Sequence, residues 1–327
     1  MAAHHPESVA PSGPPHVHPS AGQRRPLIVW RFTDGKPGHQ NQSAGLLAAL
    51  QHCLPVADYL LPAAGPFAAL RALLTRRFPA GRGLPAPDLL IGAGHATHLS
   101  LLAARRACGG RAVVLMKPSL PTGWFDLCVI PAHDKPRTAE NILVTRGVLN
   151  RVRPSEHREA QAGLILVGGP SAHVAWSGAA VAAQIHEVLE RSPGLHWTLA
   201  TSRRTPADFL AQLDTDTARL SVVPCEQTGP DWLPERLARV AQVWVTQDSV
   251  SMVYEALTAG AAVGLLTVPW RNARDRLARG VAQLELDGLV TAFEAWQQGR
   301  ALRPPVTPFD EAARCAGWID RQWLHAG

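Results

Sequence analysis

The chain has 327 residues, of which 46% are hydrophobic and 18% are charged, a composition that fits a globular protein and excludes a disordered one. A net charge of +6 favours phosphate-bearing ligands or an anionic membrane surface. The arginines form scattered pairs without interleaved aromatic residues, so no nucleic-acid partner is expected. Five cysteines, none in a Cys-x-x-Cys pair, argue against a disulfide framework and a zinc site and predict a reducing, cytoplasmic environment.

The first half of the chain is predicted to form an N-terminal Rossmann-like domain over residues 27–155. Before it, residues 1–26 are rich in proline and histidine and lack the apolar core of a signal peptide, which predicts a disordered leader. Short apolar runs then alternate with helical patterns, as in a parallel sheet covered by helices. The predicted strands are 27–30, 88–91, 112–116, 126–130 and 142–144, and the predicted helices are 41–51 and 97–108.

A second series of strands and helices predicts a C-terminal Rossmann-like domain over residues 160–306. Its predicted strands are 163–167, 196–200, 220–223, 243–245 and 262–268, and its predicted helices are 178–191, 206–213, 232–240 and 250–259. A final helix within residues 307–327 is expected to pack at the domain junction. The predicted fold class is therefore α/β, with two Rossmann-like domains that face each other across a cleft. No apolar stretch is long and uninterrupted enough to span a membrane.

The segment from Val243 to Gly260 has the pattern of an apolar strand, a polar turn and a helix that a glycine ends. Its helix would open at the carboxyl edge of the sheet, where doubly wound folds bind ligands and unpaired N–H groups favour anions. Glu255, in the second helical turn, is placed to accept hydrogen bonds from ribose hydroxyls. The alternative is structural: Asp248 and Ser249 only cap the helix, and Glu255 lies on a solvated face.

The loop from Asp34 to Asn41 collects an acid, a lysine, two glycines, a histidine and two amides. Lys36 and nearby backbone N–H groups can form an anion cradle, and His39 can accept a proton from a hydroxyl. The loop does not match a Walker A motif. A structural turn in which Asp34 bonds its own backbone is the alternative explanation.

Three further loops follow predicted strands. The amides of the Gly168–Ser171 loop can hold a diphosphate, although an ordinary tight turn explains them equally well. The Gly92–His95 loop is a weak dinucleotide match because Thr97 replaces the third glycine, and His133 can face the cleft. The missing glycine and the lack of a Tyr-x-x-x-Lys pair argue against an NAD-dependent oxidoreductase or epimerase. No arrangement of residues supports a metal site or a nucleophile elbow.

Six motifs together resemble the "elongated mitochondria" family of mitochondrial fission proteins, which comprises a plant fission factor and its bacterial relatives. They occur in the expected order between Leu27 and Leu266, and they are Asp34–Gln42, Lys117–Pro121, Phe125–Asp126, Ile130–Asp134, Thr145–Asn150 and Thr246–Met252. Families of this kind are similar in layout to GT-B glycosyltransferases, whose C-terminal domain holds a nucleotide sugar. The first loop departs from the run of glycines usual in lipid-linked glycosyltransferases.

The resemblance and the loops together predict a site. His39 would be the general base and Asp34 would orient it. The resemblance implies that Glu255 holds ribose, and the other predicted donor-binding residues are Gly169, Ser171, Arg203, Asp248, Ser249 and Ser251. The predicted acceptor-binding residues are Lys36, Asn41, His95 and His133.

The predicted function is a metal-independent transfer of a sugar from a nucleoside diphosphate donor to an envelope or lipid-linked acceptor. The nucleotide sugar is a substrate, and no cofactor is expected. The protein is expected in the cytoplasm, peripheral at the inner membrane when it meets its acceptor. The rival hypothesis is a non-catalytic scaffold of the fission family that keeps the fold and binds a protein partner at a membrane.

Overall fold

The computed structural model describes residues 25–155, 157–213 and 218–324. The leader predicted at residues 1–26 therefore falls almost wholly outside the described residues. Over the described chain the structure contains two parallel sheets, each with six strands and each covered by helices. This arrangement confirms the predicted α/β fold with two Rossmann-like halves.

The N-terminal sheet has the strand order β2-β1-β3-β4-β5-β6. Its strands are β1 (Leu27–Thr33), β2 (Val56–Pro62), β3 (Leu89–Ala93), β4 (Arg111–Leu115), β5 (Leu127–Pro131) and β6 (Ile142–Thr145). Its helices are α1 (Pro37–Cys53), α2 (Pro66–Thr75) and α3 (His98–Cys108). The central strands β3 and β5 are buried along their whole length, which explains their continuous apolar sequences.

The C-terminal sheet has the strand order β12-β11-β10-β7-β8-β9. Its strands are β7 (Glu159–Leu166), β8 (His196–Ala200), β9 (Leu220–Val223), β10 (Val240–Thr246), β11 (Ala262–Leu266) and β12 (Thr291–Ala292). Its helices are α4 (Gly178–Arg191), α5 (Trp232–Leu237), α6 (Val250–Ala259), α7 (Arg276–Leu286) and α8 (Phe293–Gln297). Both sheets are entirely parallel, so all strand carboxyl ends of one half lie at one edge.

Several predicted elements differ from the structure. The helix predicted at 206–213 is wrong, since only a short 3₁₀ turn forms at Leu210–Gln212. Only Phe209 and Leu213 are buried there, which is too little apolar surface to hold a helix on the sheet. Strand β2 and helix α2 were absent from the prediction because they lie at the sheet edge and are largely exposed, which weakens the hydrophobic pattern.

The last helix returns to the N-terminal half. Helix α9 (Glu311–Ile319), which continues in one wider turn at Asp320–Leu324, packs against α1. The buried side chains of α9 share a core with those of α1, namely Ala312, Cys315, Ala316 and Ile319 with Leu46, Leu47 and Leu50. Just before α9, the Phe309 ring stacks on Tyr254 of α6 with centroids 5.9 Å apart. Among the described helices, none has both the length and the hydrophobicity to cross a bilayer.

Candidate functional site between the two halves

The first loop of the N-terminal half brings Asp34 and His39 together. The chain turns after β1 at Gly35, whose φ of +80° is left-handed, and α1 begins at Pro37. Asp34 Oδ1 accepts the Lys36 N–H at 3.2 Å, and Asp34 Oδ2 lies 2.9 Å from His39 Nδ1. The same carboxylate therefore closes the turn and orients the imidazole, so the structural and functional interpretations of Asp34 are both consistent with this geometry.

The charge state of Asp34 decides which nitrogen of His39 carries the proton. Burial raises the pKa of Asp34, but the hydrogen bonds from His39 and the Lys36 amide and the nearby positive charges outweigh it and hold that pKa below its usual value. An ionised Asp34 accepts only, so His39 Nδ1 donates to it, and the neutral tautomer that fits this contact has its lone pair on Nε2. The pair therefore has the form of an oriented general base.

Gly94 makes room for this imidazole. It follows β3 with a φ of +84°, and a Cβ at this position would collide with the ring of His39. The two glycines of the Gly92–His95 loop thus have a packing role, one of the two explanations that the sequence left open. Gly92 is equally crowded, because a Cβ there would press on Thr97 and Leu101.

A cavity of about 380 Å³ opens beside His39. Its wall comes from the carboxyl ends of β1, β3, β4 and β5 and from the start of α7, with the residues Lys36, His39, Gly94, His95, Met116, Lys117, Pro118, Ser119, Asp134 and Arg276. Arg276 crosses from the C-terminal half and donates from Nη1 to Asp134 Oδ1 at 3.1 Å. Three permanent cations face one buried, paired carboxylate, so the cavity suits an anionic group.

Two histidines lie behind this wall. His133, a predicted acceptor residue, is not in the lining; its side chain is buried, with Nε2 3.9 Å from Asp134 Oδ1. Burial and the charge of Arg276 lower its pKa against the opposing effect of Asp134. His98, absent from the prediction, is buried with a pKa lowered to about 4, and its Nδ1 lies 3.2 Å from the Ser119 Oγ in the cavity wall. Both histidines support the wall.

In the C-terminal half, the glycine loop after β7 is already hydrogen-bonded within the protein. The Gly168 N–H donates to Thr246 Oγ1 at 2.7 Å, and the Gly169 N–H donates to Asp248 Oδ2 at 3.1 Å. Arg204 Nη2 donates to the same Asp248 oxygen at 2.7 Å and to Ser249 Oγ at 3.1 Å. The buried Asp248 carboxylate therefore already accepts the hydrogen bond of the Gly169 amide, which the sequence analysis assigned to a diphosphate.

These contacts correct the prediction that Asp248 or Ser249 caps α6 through its side chain. Ser249 stands at the N-cap position, but no side chain there accepts a hydrogen bond from the helix. The carboxylate of Asp248 is fully buried and points instead to the glycine loop and Arg204. The predicted end of the helix is confirmed, because Gly260 is left-handed with a φ of +79°.

The remaining predicted donor residues lie around this loop. Arg203 is exposed, and the guanidinium that reaches Asp248 and Ser249 belongs to its neighbour Arg204. Ser171 Oγ accepts the His173 N–H at 3.3 Å within the loop, and Ser251 is exposed on the first turn of α6. Across residues 25–155, 157–213 and 218–324, no three His, Cys, Asp or Glu side chains group closely enough to hold a metal ion.

Glu255 joins the two halves. Its Oε1 accepts a hydrogen bond from Asn41 Nδ2 at 2.7 Å, so a predicted donor residue and a predicted acceptor residue meet directly. Burial raises the pKa of Glu255 to about 7, although the Asn41 bond and the charge of Arg151 act in the opposite direction. A carboxylate held between two domains in this way is the kind of perturbed group that marks functional sites.

A larger cavity of about 700 Å³ lies elsewhere, at the amino ends of β7, β8 and β10. Its charged lining residues are Glu159, Arg236 and Arg239 with His196. Parallel α/β sheets bind ligands at the opposite, carboxyl edge. The cleft with His39 and Glu255 is therefore the candidate functional site.

The chain matches one protein family over most of its length. A sequence profile described as mitochondrial fission ELM1 matches residues 37–323, which confirms the family predicted from the motifs. No curated protein matches the chain.

Solved structures of low sequence identity share the fold. A protein from Listeria monocytogenes described as a candidate UDP-N-acetylglucosamine 2-epimerase aligns with a TM-score of 0.58 and 12% identity over 92% of this chain and 98% of that one. The UDP-GlcNAc 2-epimerase of Methanocaldococcus jannaschii aligns with a TM-score of 0.56 and 12% identity over 90% of this chain and 99% of that one. The Neisseria meningitidis UDP-GlcNAc 2-epimerase was solved bound to UDP-GlcNAc. It aligns with a TM-score of 0.50 and 10% identity over 91% of this chain and 99% of that one. This likeness confirms the GT-B-like arrangement of two Rossmann-like halves and does not by itself identify a reaction.

Proposed function

Because the chain belongs to the mitochondrial fission ELM1 family and has a GT-B-like fold, we propose that it transfers a sugar from a nucleoside diphosphate donor to an acceptor in the cleft. The observation that carries the proposal is the His39–Asp34 pair, an oriented base at the wall of a cavity that both halves line. The Neisseria protein of the same fold was solved with a nucleotide sugar, which favours this class of donor.

The proposed reaction is a displacement at the anomeric carbon of the sugar. His39 Nε2 takes the proton of an acceptor hydroxyl as the acceptor oxygen bonds to that carbon. The bond from the same carbon to the diphosphate oxygen breaks, and the diphosphate leaves with the electron pair. Cationic groups and N–H donors stabilise the negative charge that develops on this leaving group.

The donor would bind on the C-terminal half. Glu255 would accept hydrogen bonds from ribose, and the diphosphate would lie near α6 and the two loops that precede it. Arg204 joins the predicted residues Gly169, Ser171, Arg203, Ser249 and Ser251, because it already bonds Ser249. Asp248, also in the predicted set, holds Arg204 and the Gly169 amide in place. On entry, the diphosphate would replace Asp248 as the partner of Arg204 and of the Gly169 amide.

The acceptor would bind on the N-terminal half, against His39. The cavity carries the permanent charges of Lys36, Lys117 and Arg276, which suit an acceptor that bears a phosphate or carboxylate group. His95 lines the same cavity. An envelope precursor or a phosphate-linked lipid at the inner membrane has this chemistry.

The second candidate function is the non-catalytic scaffold. One observation favours it: the Gly169 amide and Arg204 are already satisfied by Asp248, as expected of a donor loop that no longer needs a ligand. A scaffold would keep the fold and the family motifs and bind a protein partner without turning over a nucleotide sugar.

Release of nucleoside diphosphate tests the proposal. The full chain is incubated with UDP, GDP and ADP sugars and a membrane lipid extract, alongside His39→Ala and His52→Ala, the latter an exposed histidine at the end of the same helix. The proposal predicts acceptor-dependent release that His39→Ala abolishes and His52→Ala retains. Conversion of the donor to an isomer without transfer would replace the transferase with an isomerase. No turnover of any donor would favour the scaffold.

A further inference from the structure

The outer face of α2 is apolar and uncovered. Phe67, Leu70 and Leu74 recur at helical spacing and are 91%, 46% and 72% exposed. The opposite face of the helix is anchored, since Ala69 and Ala72 are buried and the helix packs against α3. Single exposed apolar residues are ordinary, but three on one face of a ten-residue helix form a stripe.

The same region carries positive charge that the fold does not neutralise. Between Tyr59 and Pro87 the sequence has no Asp or Glu and has four arginines, Arg71, Arg76, Arg77 and Arg82. Arg71 lies on the stripe side of α2, four residues after Phe67, and Arg76 ends the helix in a left-handed conformation with a φ of 54°. All four are exposed, and none forms an ion pair with a carboxylate of the described residues.

This combination fits the surface of an anionic lipid bilayer. A helix that lies in the plane of a membrane places its apolar side chains among the upper acyl chains and its basic side chains at the lipid phosphates. Each basic side chain near such a surface adds a favourable charge interaction. The stripe lies on the outer, exposed face of α2, so it can lie flat against a lipid surface.

The position of α2 links this face to the cleft. The helix begins at Pro66, just after the carboxyl end of β2, and that sheet edge also carries the loop of Asp34 and His39. The Ala64 N–H, at the start of this connection, donates to Ser100 Oγ of α3 at 2.9 Å. Phe67, in the first turn of α2, is therefore at the cleft end of the helix.

We propose that the face of Phe67, Leu70, Arg71 and Leu74, with Arg76 and Arg77, is a docking surface for an anionic lipid bilayer. Docking there holds the cleft end of the N-terminal half towards the membrane, where a lipid-linked acceptor would enter. Binding to the bilayer needs no nucleotide sugar. Its outcome is therefore separate from that of the proposed transfer.

Vesicle flotation of the full chain tests the surface. The vesicles contain phosphatidylcholine alone or mixed with phosphatidylglycerol, and the variants are Phe67→Ser/Leu74→Ser and Arg76→Gln/Arg77→Gln. The matched controls are Leu286→Ser/Val306→Ser, whose side chains are 81% and 101% exposed elsewhere, and Arg300→Gln/Arg303→Gln. All the exchanged side chains are exposed, so unchanged circular dichroism and melting temperature verify the fold.

We expect wild type to float only with the vesicles that contain phosphatidylglycerol. Each α2 variant should lose on the order of tenfold in binding, while both control variants float like wild type. Three results would overturn the inference: no flotation of wild type, equal losses in the α2 and control variants, or equal binding to neutral vesicles. A wild type that ignores vesicles while the α2 variants lose a protein partner would reassign the face to protein binding.

Discussion

The first loops of the two halves, each after the first strand of its half, differ in their hydrogen bonding. In the N-terminal loop, Asp34 orients His39 through Nδ1, and the ring lines a cavity. In the C-terminal loop, the Gly169 amide and the Arg204 guanidinium are both bonded to the buried Asp248. The first loop can therefore act on a ligand as it stands, whereas the second must exchange an internal carboxylate for any incoming anion.

The largest expected effect is on the N-terminal loop. His39→Ala should lower kcat by about 10²–10⁴-fold, the usual contribution of a general base, while nucleotide affinity stays near that of wild type. Asp34→Asn should also lower kcat, because the amide NH2 can donate to Nδ1 and so favour the wrong tautomer of the imidazole. Steady-state rates and nucleotide Kd values, measured on the same variants, distinguish an effect on catalysis from an effect on binding. A rise in Kd with unchanged kcat would assign His39 to binding.

For the C-terminal loop, two neighbouring arginines provide a direct contrast. Arg204→Ala leaves the buried Asp248 without its cation, and we expect a loss of about 1–3 kcal/mol in the free energy of unfolding, less than for a fully buried pair because Arg204 is 41% exposed. Arg203→Ala should change stability by less than about 0.5 kcal/mol. Urea unfolding measures both. Equal losses would mean that the Asp248 pair does not stabilise this loop.

Glu255 should make the contact between the halves sensitive to pH. Its folded pKa of about 7 lies above the ordinary value of 4.5, so the folded protein binds this proton more tightly than the unfolded chain. The resulting stability is fully present below the unfolded pKa and is lost as pH rises through about 7. The unfolding free energy of wild type relative to Glu255→Gln should therefore fall between about pH 5 and about pH 8, by at most on the order of 3 kcal/mol. If the difference in unfolding free energy between the two proteins did not change with pH, the raised pKa of Glu255 would be contradicted.

The smallest expected effects are the changes in stability when either of two glycines, Gly35 or Gly38, is replaced by alanine. Gly38 lies in the first turn of α1, where an added Cβ would meet no atom within 4 Å, so Gly38→Ala should stabilise the protein by roughly 0.5–1 kcal/mol without changing kcat. Gly35 is left-handed, and Gly35→Ala should destabilise by about 1 kcal/mol. Thermal unfolding measures both changes. A stabilised Gly35→Ala would mean that this turn adopts another conformation.

The sequence predicted the fold well because the buried strands appear as unbroken apolar runs. It also predicted loops at the carboxyl edge of each sheet, since parallel strands bring their carboxyl ends to one edge. Choices between neighbours were not predictable: Arg203 and Arg204 have the same chemistry, and only the path of the loop decides which one reaches Asp248. Arg276 gave no local signal, because its partner Asp134 is 142 residues away in the chain.

Other failures came from weak burial or competing partners. The segment at 206–213 buries too few side chains to sustain a helix. Helix α2 escaped prediction because its apolar residues point outwards, which blurs the usual periodicity. Asp248 is a good N-cap residue by type, but the glycine loop and Arg204 offered its carboxylate stronger partners.

Nucleotide binding by calorimetry tests most directly whether the cleft is a sugar-nucleotide site. UDP, GDP, ADP and their sugar conjugates are titrated into wild type, Glu255→Ala and Glu294→Ala, the last an exposed control on α8. We expect selective binding to wild type and to Glu294→Ala, weakened by about 1–3 kcal/mol in Glu255→Ala as a charged hydrogen-bond partner is lost. Binding of no nucleotide, or equal binding by all three proteins, would contradict a donor site at Glu255.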